Sequence, residues 1–280
     1  MAESPLATAA RAYYGGRDVA SAVLEALRST YGERARFTPA ELAGLDQLHT
    51  WGPAGTARLA EMAGVRAEDR VLDLGGGLGG AARQLAAATG CHVTLVDLTP
   101  ELCRAAELLN RLTGLDDQVD VLCGDVLDPP VDRRAFDVAW LQHVTMHIPN
   151  KGGLMAAVRR TLAPAGRLAL WEVTAGPGGS PHLPAPWGDR PEGQHLASAD
   201  DLRAAAEAVG LRRVVWQDLS ADMVARMRAA AAMGLRPPGP GFEVFLSDWA
   251  DRQDNHLRNL AEDRIRLVLG VFGLPSDDPA

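Results

Sequence analysis

The sequence predicts an α/β fold, a doubly wound, mostly parallel sheet with helices on both faces. From residue 70 onward, short apolar runs alternate with amphipathic stretches at helical spacing, the pattern of parallel strands joined by crossover helices. A glycine-rich loop, VLDLGGGLGG over residues 71–80, joins the first run to the first such stretch. Three acids, Asp73, Asp97 and Asp125, fall at the ends of three successive runs. That register puts them in the crevice outside the strands' carboxyl ends, where doubly wound sheets bind ligands.

Residues 1–64 read as helical. Val23, Leu24 and Leu27 recur at helix spacing, and PAGTARLAEMAG opens with Pro53 and closes with Gly64. Strands are expected at 70–74, 92–96, 118–122, 136–141, 166–173 and 211–217, with helices near 79–88, 100–113, 151–163 and 199–209. Thr99-Pro100 supplies an N-cap and a first-turn proline. Ser198 to Asp201 forms a capping box, and Gly210 closes the same helix. Leu154, Val158 and Leu162 give one helix its core-facing stripe. Residues 175–197 are a long Gly/Pro-rich connection, the kind that serves as a lid or binding loop. After 218 come an Ala/Met-rich helix, the breaker RPPGPG, a further helical stretch over 242–263, and RIRLVLGVFGL as a last strand.

Lys and Arg number 28 against 36 Asp and Glu, a net charge of −8 without a basic run, which speaks against nucleic acid and anionic membrane as partners. The 3 cysteines show no C-x-x-C spacing, so a disulfide framework or a zinc site is not expected. The N-terminus lacks the charged and apolar regions of a signal peptide, and no apolar run approaches the ~20 residues of a membrane span. A cytoplasmic protein is expected.

Without a G-K-[ST] ending, the glycine loop is not a triphosphate-binding P-loop. Gly75-x-Gly77-x-x-Gly80 does satisfy the dinucleotide pattern, and Asp97 suits a ribose-binding acid. Asp73 decides against a diphosphate, because a carboxylate at the end of the first strand raises the negative potential there. It favours S-adenosylmethionine, which carries a sulfonium and an ammonium and no phosphate. Asp125 can accept from an adenine amino group.

These motifs resemble the class I S-adenosylmethionine-dependent methyltransferases, with their Rossmann-like fold. DQLHTWGPAGTARLA, VDLTP, CGDV, FDVAWLQHVTMHIPNK, LAPAGRLALWEV and PAPWG are similar to the small-molecule branch of sarcosine/dimethylglycine and natural-product methyltransferases. The resemblance implies that Asp73 and Gly75–Gly79, including Gly77, hold the methionine end of S-adenosylmethionine. It implies that Asp97 binds the ribose hydroxyls, that Asp125 and Val126 bind the adenine, that Leu98 packs on the base, and that Gln142 lies near the methionine moiety. At His143 and His147 the branch carries asparagine-like polar groups, so amine chemistry does not transfer from the branch to this chain.

His143, after the fourth strand, is either a general base or a pocket-shaping histidine. His147 would stand above it on a helical turn, but H-V-T-M-H has no third ligand nearby and no metal is expected. Glu172, ending the fifth strand, either serves the acceptor or hydrogen-bonds a loop. His49 and Trp51 close over the cofactor or pack at a helix start; Tyr14, with Tyr13, is a weaker lid candidate. Trp187 covers an apolar acceptor or anchors its loop, and Trp140 and Trp171 read as core.

Three regions are expected: an N-terminal helical lid (1–64), a cofactor-binding core (65–217, with 175–197 as substrate loop), and a helical insertion with an antiparallel last strand (218–280). The expected function is methyl transfer to a small-molecule acceptor in specialised metabolism, at an N, O or C atom, by a monomer or homo-oligomer. The alternatives are a cyclase or binding module that keeps the cofactor structurally, and a nicotinamide-dependent oxidoreductase.

Overall fold

A computed structural model describes residues 18–235 and 239–275. Tyr13 and Tyr14 lie outside them, as does part of RPPGPG. Seven strands are present among these residues: β1 (Arg70–Leu74), β2 (His92–Asp97), β3 (Val119–Cys123), β4 (Phe136–Gln142), β5 (Leu162–Ala175), β6 (Arg212–Asp218) and β7 (Ile265–Gly273). They form one sheet in the order β3-β2-β1-β4-β5-β7-β6. Strands β1 to β5 run parallel, and β7 enters antiparallel between β5 and β6, as the last strand was expected to do. The order reverses between β1 and β4, so the crevice falls at the ends of these two strands.

The nine α-helices described are α1 (Val19–Tyr31), α2 (Pro39–Asp46), α3 (Gly52–Ala63), α4 (Gly80–Thr89), α5 (Pro100–Thr113), α6 (Lys151–Thr161), α7 (Ala199–Ala208), α8 (Ser220–Ala232) and α9 (Trp249–Ala261). None is long and apolar enough to cross a membrane. The Ser198 hydroxyl caps α7 by accepting from the Asp201 amide, and Gly210 turns the chain into β6 at φ 86°.

Three local expectations change. The Thr99 side chain makes no capping bond at α5, and the Thr99 amide donates instead to Asp97 Oδ1 at 2.9 Å. Leu162 belongs to β5 rather than α6, because it pairs with Phe136 of β4. The stretch after Gly241 is not one helix but a 3-10 turn at Phe242–Val244 followed by α9, with the Phe242 and Trp249 rings 5.0 Å apart.

Trp140, Trp171, Leu267 and Leu269 lie in one buried cluster, and Leu72, Leu141, Leu170 and Phe272 in a second; these residues alternate along their strands, so the two clusters take opposite faces of the sheet. A third joins α1, α2 and α5 through Val23, Leu27, Leu42, Leu45 and Leu109. It is backed by a buried ion pair. Arg83 of α4 donates to Asp46 Oδ2 of α2 at 2.7 Å and to Asn110 Oδ1 at 2.8 Å, and both partners of the pair are buried. Burial pushes the Asp46 carboxyl up to about 6 despite Arg83. Arg83→Met should therefore cost about 3–5 kcal/mol at neutral pH, because it leaves an uncompensated buried charge. Denaturant unfolding at two pH values checks this, with a smaller loss expected at pH 5, where Asp46 can take up a proton.

Candidate active site

The glycine loop leaves β1 with Gly75, Gly77 and Gly79 all in the left-handed region, and the Gly75 amide donates to Val96 O at 2.7 Å. At four positions, Gly75, Gly76, Gly79 and Gly80, a Cβ would come under 3.0 Å from other atoms. A Cβ on Gly75 would lie 2.7 Å from the Val144 methyls, and one on Gly76 would lie 2.6 Å from Asp73 Oδ2. The loop thus packs backbone-first against the protein's own atoms, while a Cβ on Gly77 would meet nothing within 4 Å.

Asp73 ends 2% exposed, and its Oδ2 has no hydrogen-bond partner among the described residues. Burial, then the nearby Asp97 charge, pushes its carboxyl up to about 7, with Arg83 opposing. Asp97 is buried as well, and it accepts from the Gly77 amide at 3.0 Å and the Thr99 amide at 2.9 Å. Burial raises its pKa too, and those bonds hold it back. Two buried carboxylates, one lacking any donor, make a site for a cation. Asp125 is half-buried just beyond β3, where its Oδ1 accepts from the Leu127 amide at 2.9 Å; Val126 is buried and Leu98 is half-buried.

On the far side of the switch point the chain turns sharply after β4. His143 takes φ 57°, a left-handed conformation costly for a residue with a Cβ. Its amide donates to Trp171 O at 2.9 Å, and its ring stacks on Trp171 with centroids 6.2 Å apart. The ring of His49 stands edge-on, centroids 6.0 Å apart. Nε2 of His143 is buried without a partner among the described residues. Burial first, then the neighbouring His49, His256 and His147, holds its pKa well below the usual imidazole value. It is a neutral ring whose Nε2 is free of hydrogen bonds to the described residues.

Glu172 explains the turn. Fully buried, it accepts at Oε2 from the Thr145 amide (3.0 Å) and hydroxyl (2.8 Å) and from the Val144 amide (3.1 Å). Burial raises its pKa to about 7. Of the two roles weighed for Glu172, the geometry matches the loop-holding one, with the Val144 amide also reaching Oε1 at 3.2 Å. Glu172→Ala should cost about 2–4 kcal/mol by orphaning three buried donors, while Glu172→Gln, which keeps an acceptor oxygen, should stay near wild type; thermal melts of the two variants separate these outcomes. The helical turn expected for 143–147 is absent. A 3-10 turn covers only Thr145–His147, so His147 is not stacked one turn above His143. Burial lowers the His147 pKa to about 4. Among the described residues no group of three His, Cys, Asp or Glu is placed to hold a metal ion.

The N-terminal segment is bonded to the same strand edge. Gln142 Nε2 lies 3.0 Å from His49 Nδ1, and Gln142 Oε1 accepts from Trp140 Nε1 at 2.9 Å. Thr56 Oγ1 bridges Gln47, His49 and Gln142. Trp51 caps α3 at φ 73° and packs between Trp171, centroids 6.4 Å apart, and the Arg226 guanidinium, 4.8 Å from its ring. For Trp51 that is the helix-start packing alternative. Trp187 is 6% exposed and its Nε1 donates to Gln194 at 3.1 Å, so it is a loop anchor.

Nor is the 175–197 connection a free flap. From α9, Arg252 donates to Ala185 O, Asn255 to Pro184 O, and Asn259 to His182 O. Sequence reasoning missed His256 of α9, which is buried, edge-on to Trp187 and 2.8 Å from Thr50 Oγ1. One histidine among the charges of DRQDNHLRNL reads as solvent-facing, and no local signal marks it otherwise.

Residues 72–170, the stretch that carries the glycine loop, the three acids and His143, match the methyltransferase domain family. That match makes residues 72–170 a methyltransferase domain, and the chain spans less than a third of the length of the first curated relatives it matches. The chain is 33% identical to the glycine/sarcosine/dimethylglycine N-methyltransferase of Actinopolyspora halophila over 58% of its own length, and spans 29% of that relative. It is 28% identical to the 27-O-demethylrifamycin SV methyltransferase of Amycolatopsis mediterranei, over 80% of this chain and 78% of that one. Its fold matches a geranyl diphosphate C-methyltransferase structure from Streptomyces coelicolor A3(2), with TM-score 0.71, 19% identity, and coverage of 98% and 99% of the two chains. The cofactor of the family is S-adenosylmethionine, which sets the nicotinamide alternative aside. The site fits that cofactor: an unpartnered buried carboxylate oxygen meets a cation, and beside it Gly77 has open space where a Cβ would stand.

Proposed function

We propose that this methyltransferase acts on a small, largely apolar acceptor whose nucleophilic atom must lose a proton, with His143 as general base. The carrying observation is the buried, unpartnered Nε2 of His143 at the strand edge beside the cofactor loop. S-adenosylmethionine, when bound, supplies an electrophilic methyl on a sulfonium. Asp73 and the Gly75–Gly79 loop would hold its methionine end, with Gln142 beside it. Asp97 would take the ribose hydroxyls, and Asp125, Val126 and Leu98 the adenine. The neutral His143 ring accepts the acceptor's proton as the nucleophile forms its new bond, and later gives it to solvent. Glu172 holds the turn, and so the ring, in position. Because His49 and Thr56 are bonded to Gln142, and Gln47 to Thr56, residues 47–56 must part from β4 for ligands to exchange, which gives the N-terminal segment the role of a lid. A rifamycin-modifying relative supports an acceptor from specialised metabolism.

The test is release of S-adenosylhomocysteine from protein loaded with S-adenosylmethionine and challenged with a small-molecule extract of the native host. Extract-dependent release is expected. Firm cofactor binding with no release under any extract would instead favour a retained, structural cofactor.

A further inference from the structure

We propose that Cys103 and Cys123 are a modification site: they close into a reversible disulfide by exchange with a low-molecular-weight disulfide, and closing weakens cofactor binding. The inference goes beyond the function proposed above and rests on it only for where the cofactor's ribose and adenine lie.

Both thiols are tied to one stretch of backbone. Cys103, near the start of α5, donates through Sγ to Asp97 O at 3.5 Å, and Cys123, the last residue of β3, donates to Leu98 O at 3.9 Å. The Asp97 carbonyl also takes the Gly124 amide at 2.9 Å, so the Cys103 sulfur stands against the residue that follows Cys123. It lies 4.0 Å from Leu122 O, which belongs to the residue before. The sides of the sheet agree. Val119 and Val121 pack in the cluster that holds Ala82 and Leu85 of α4, and Leu122 packs in the opposite one. Cys123 is in step with Val119 and Val121, so it points to the α4 side, where Arg83 joins α4 to Asn110 of α5. The two thiols are within hydrogen-bonding reach of one another.

Exposure divides the work. Cys123 is exposed, whereas Cys103 is buried and Cys91, also buried, sits at the other end of β2. Burial first, then the Asp97 charge, pushes the Cys103 thiol up, so it stays protonated and Cys123 meets the reagent. The Cys123 thiolate attacks one sulfur of the small disulfide; a mixed disulfide forms and one thiolate leaves. Cys103 then attacks Cys123 Sγ and gives its proton to the second thiolate as that departs. The protein pair loses two electrons and the reagent becomes two thiols. A disulfide holds its sulfurs about 2.05 Å apart. Closing to that separation takes both thiol donors away from Asp97 O and Leu98 O and draws the end of β3 onto α5. Asp97 and Leu98 are the residues placed above at the ribose and the adenine.

The coupling is reciprocal, so a bound nucleoside must oppose the bond as much as the bond opposes the nucleoside. The experiment equilibrates the whole chain in glutathione and glutathione disulfide mixtures, with and without saturating S-adenosylhomocysteine, then quenches with acid and maps the cysteines by mass spectrometry. A Cys103–Cys123 bond that dithiothreitol reverses is expected, with Cys91 untouched. Calorimetry should show S-adenosylhomocysteine binding the oxidised protein at least tenfold more weakly than the reduced one. Saturating S-adenosylhomocysteine should then shift the redox midpoint by about 30 mV or more towards oxidising potentials, the equivalent of tenfold for a two-electron couple. Cys103→Ala should stop at glutathione on Cys123, and Cys123→Ala should leave Cys103 unmodified. No Cys103–Cys123 bond in any mixture, or a bond that leaves affinity and midpoint unchanged, would overturn the proposal. Failure of the reduced protein to bind S-adenosylhomocysteine would count against the cofactor reading instead, with the bond itself still decided by the map.

Discussion

Asp73→Asn is expected to weaken S-adenosylmethionine binding by 10²–10³-fold, the loss of about 3–4 kcal/mol that follows when one partner is removed from a buried charge pair. The reason is that Oδ2 of Asp73 has no donor among the described residues and lies near the buried Asp97. A cation supplies what the site lacks, and asparagine, which is neutral, has nothing to offer it. Calorimetric titration of both proteins measures the difference.

The same residue sets a pH dependence whose sign is fixed. In the free fold the Asp73 carboxyl is raised from 3.8 to about 7, so ionising it opposes folding. Its contribution to stability therefore falls as pH rises from about 4 to about 7 and stays low above that. For the cofactor the sign is reversed. The cation binds the ionised form, so affinity should drop by roughly eightfold between pH 7.5 and pH 6 as the carboxyl takes up its proton. The Asp73→Asn protein should lose that share of both slopes, and at pH 8 its free form should melt no lower than wild type.

His143→Ala should lower kcat by about 10²–10⁴-fold, the usual contribution of a positioned base, and leave cofactor affinity unchanged. Its pH signature differs from that of Asp73. Burial keeps the His143 ring neutral well below the ordinary imidazole range, so at saturation kcat should stay level between pH 8 and pH 6.5. Over that interval kcat/KM for S-adenosylmethionine should fall, because Asp73 protonates there. A kcat that falls with a midpoint near 6.5 would remove His143 as the base or show its ring to be solvated.

Much of the cofactor half was legible because it is written in adjacent residues. Strand β1 occupies the residues that the apolar run marks, and the glycines and Asp73 sit within a few positions of it. The acceptor half was not legible, because its groups meet only in three dimensions. Glu172 fixes a turn that follows the neighbouring strand, and His143 adopts a backbone conformation that no periodicity announces. The long connection read as a lid because glycine and proline mark an absence of regular structure. Neither residue type records that Arg252, Asn255 and Asn259 pin it from a helix far along the chain. The buried His256 lies on the same helix.

That helix belongs to the segment between β6 and β7, two strands paired directly from Asp218↔Val268 through Arg212↔Gly273. The segment leaves and rejoins the sheet side by side, so it can be exchanged as a cassette while the β1–β4 frame of the cofactor is left alone. Lineages that diversify their products could retarget this scaffold by rewriting residues 219–264, and an engineer could do so by grafting.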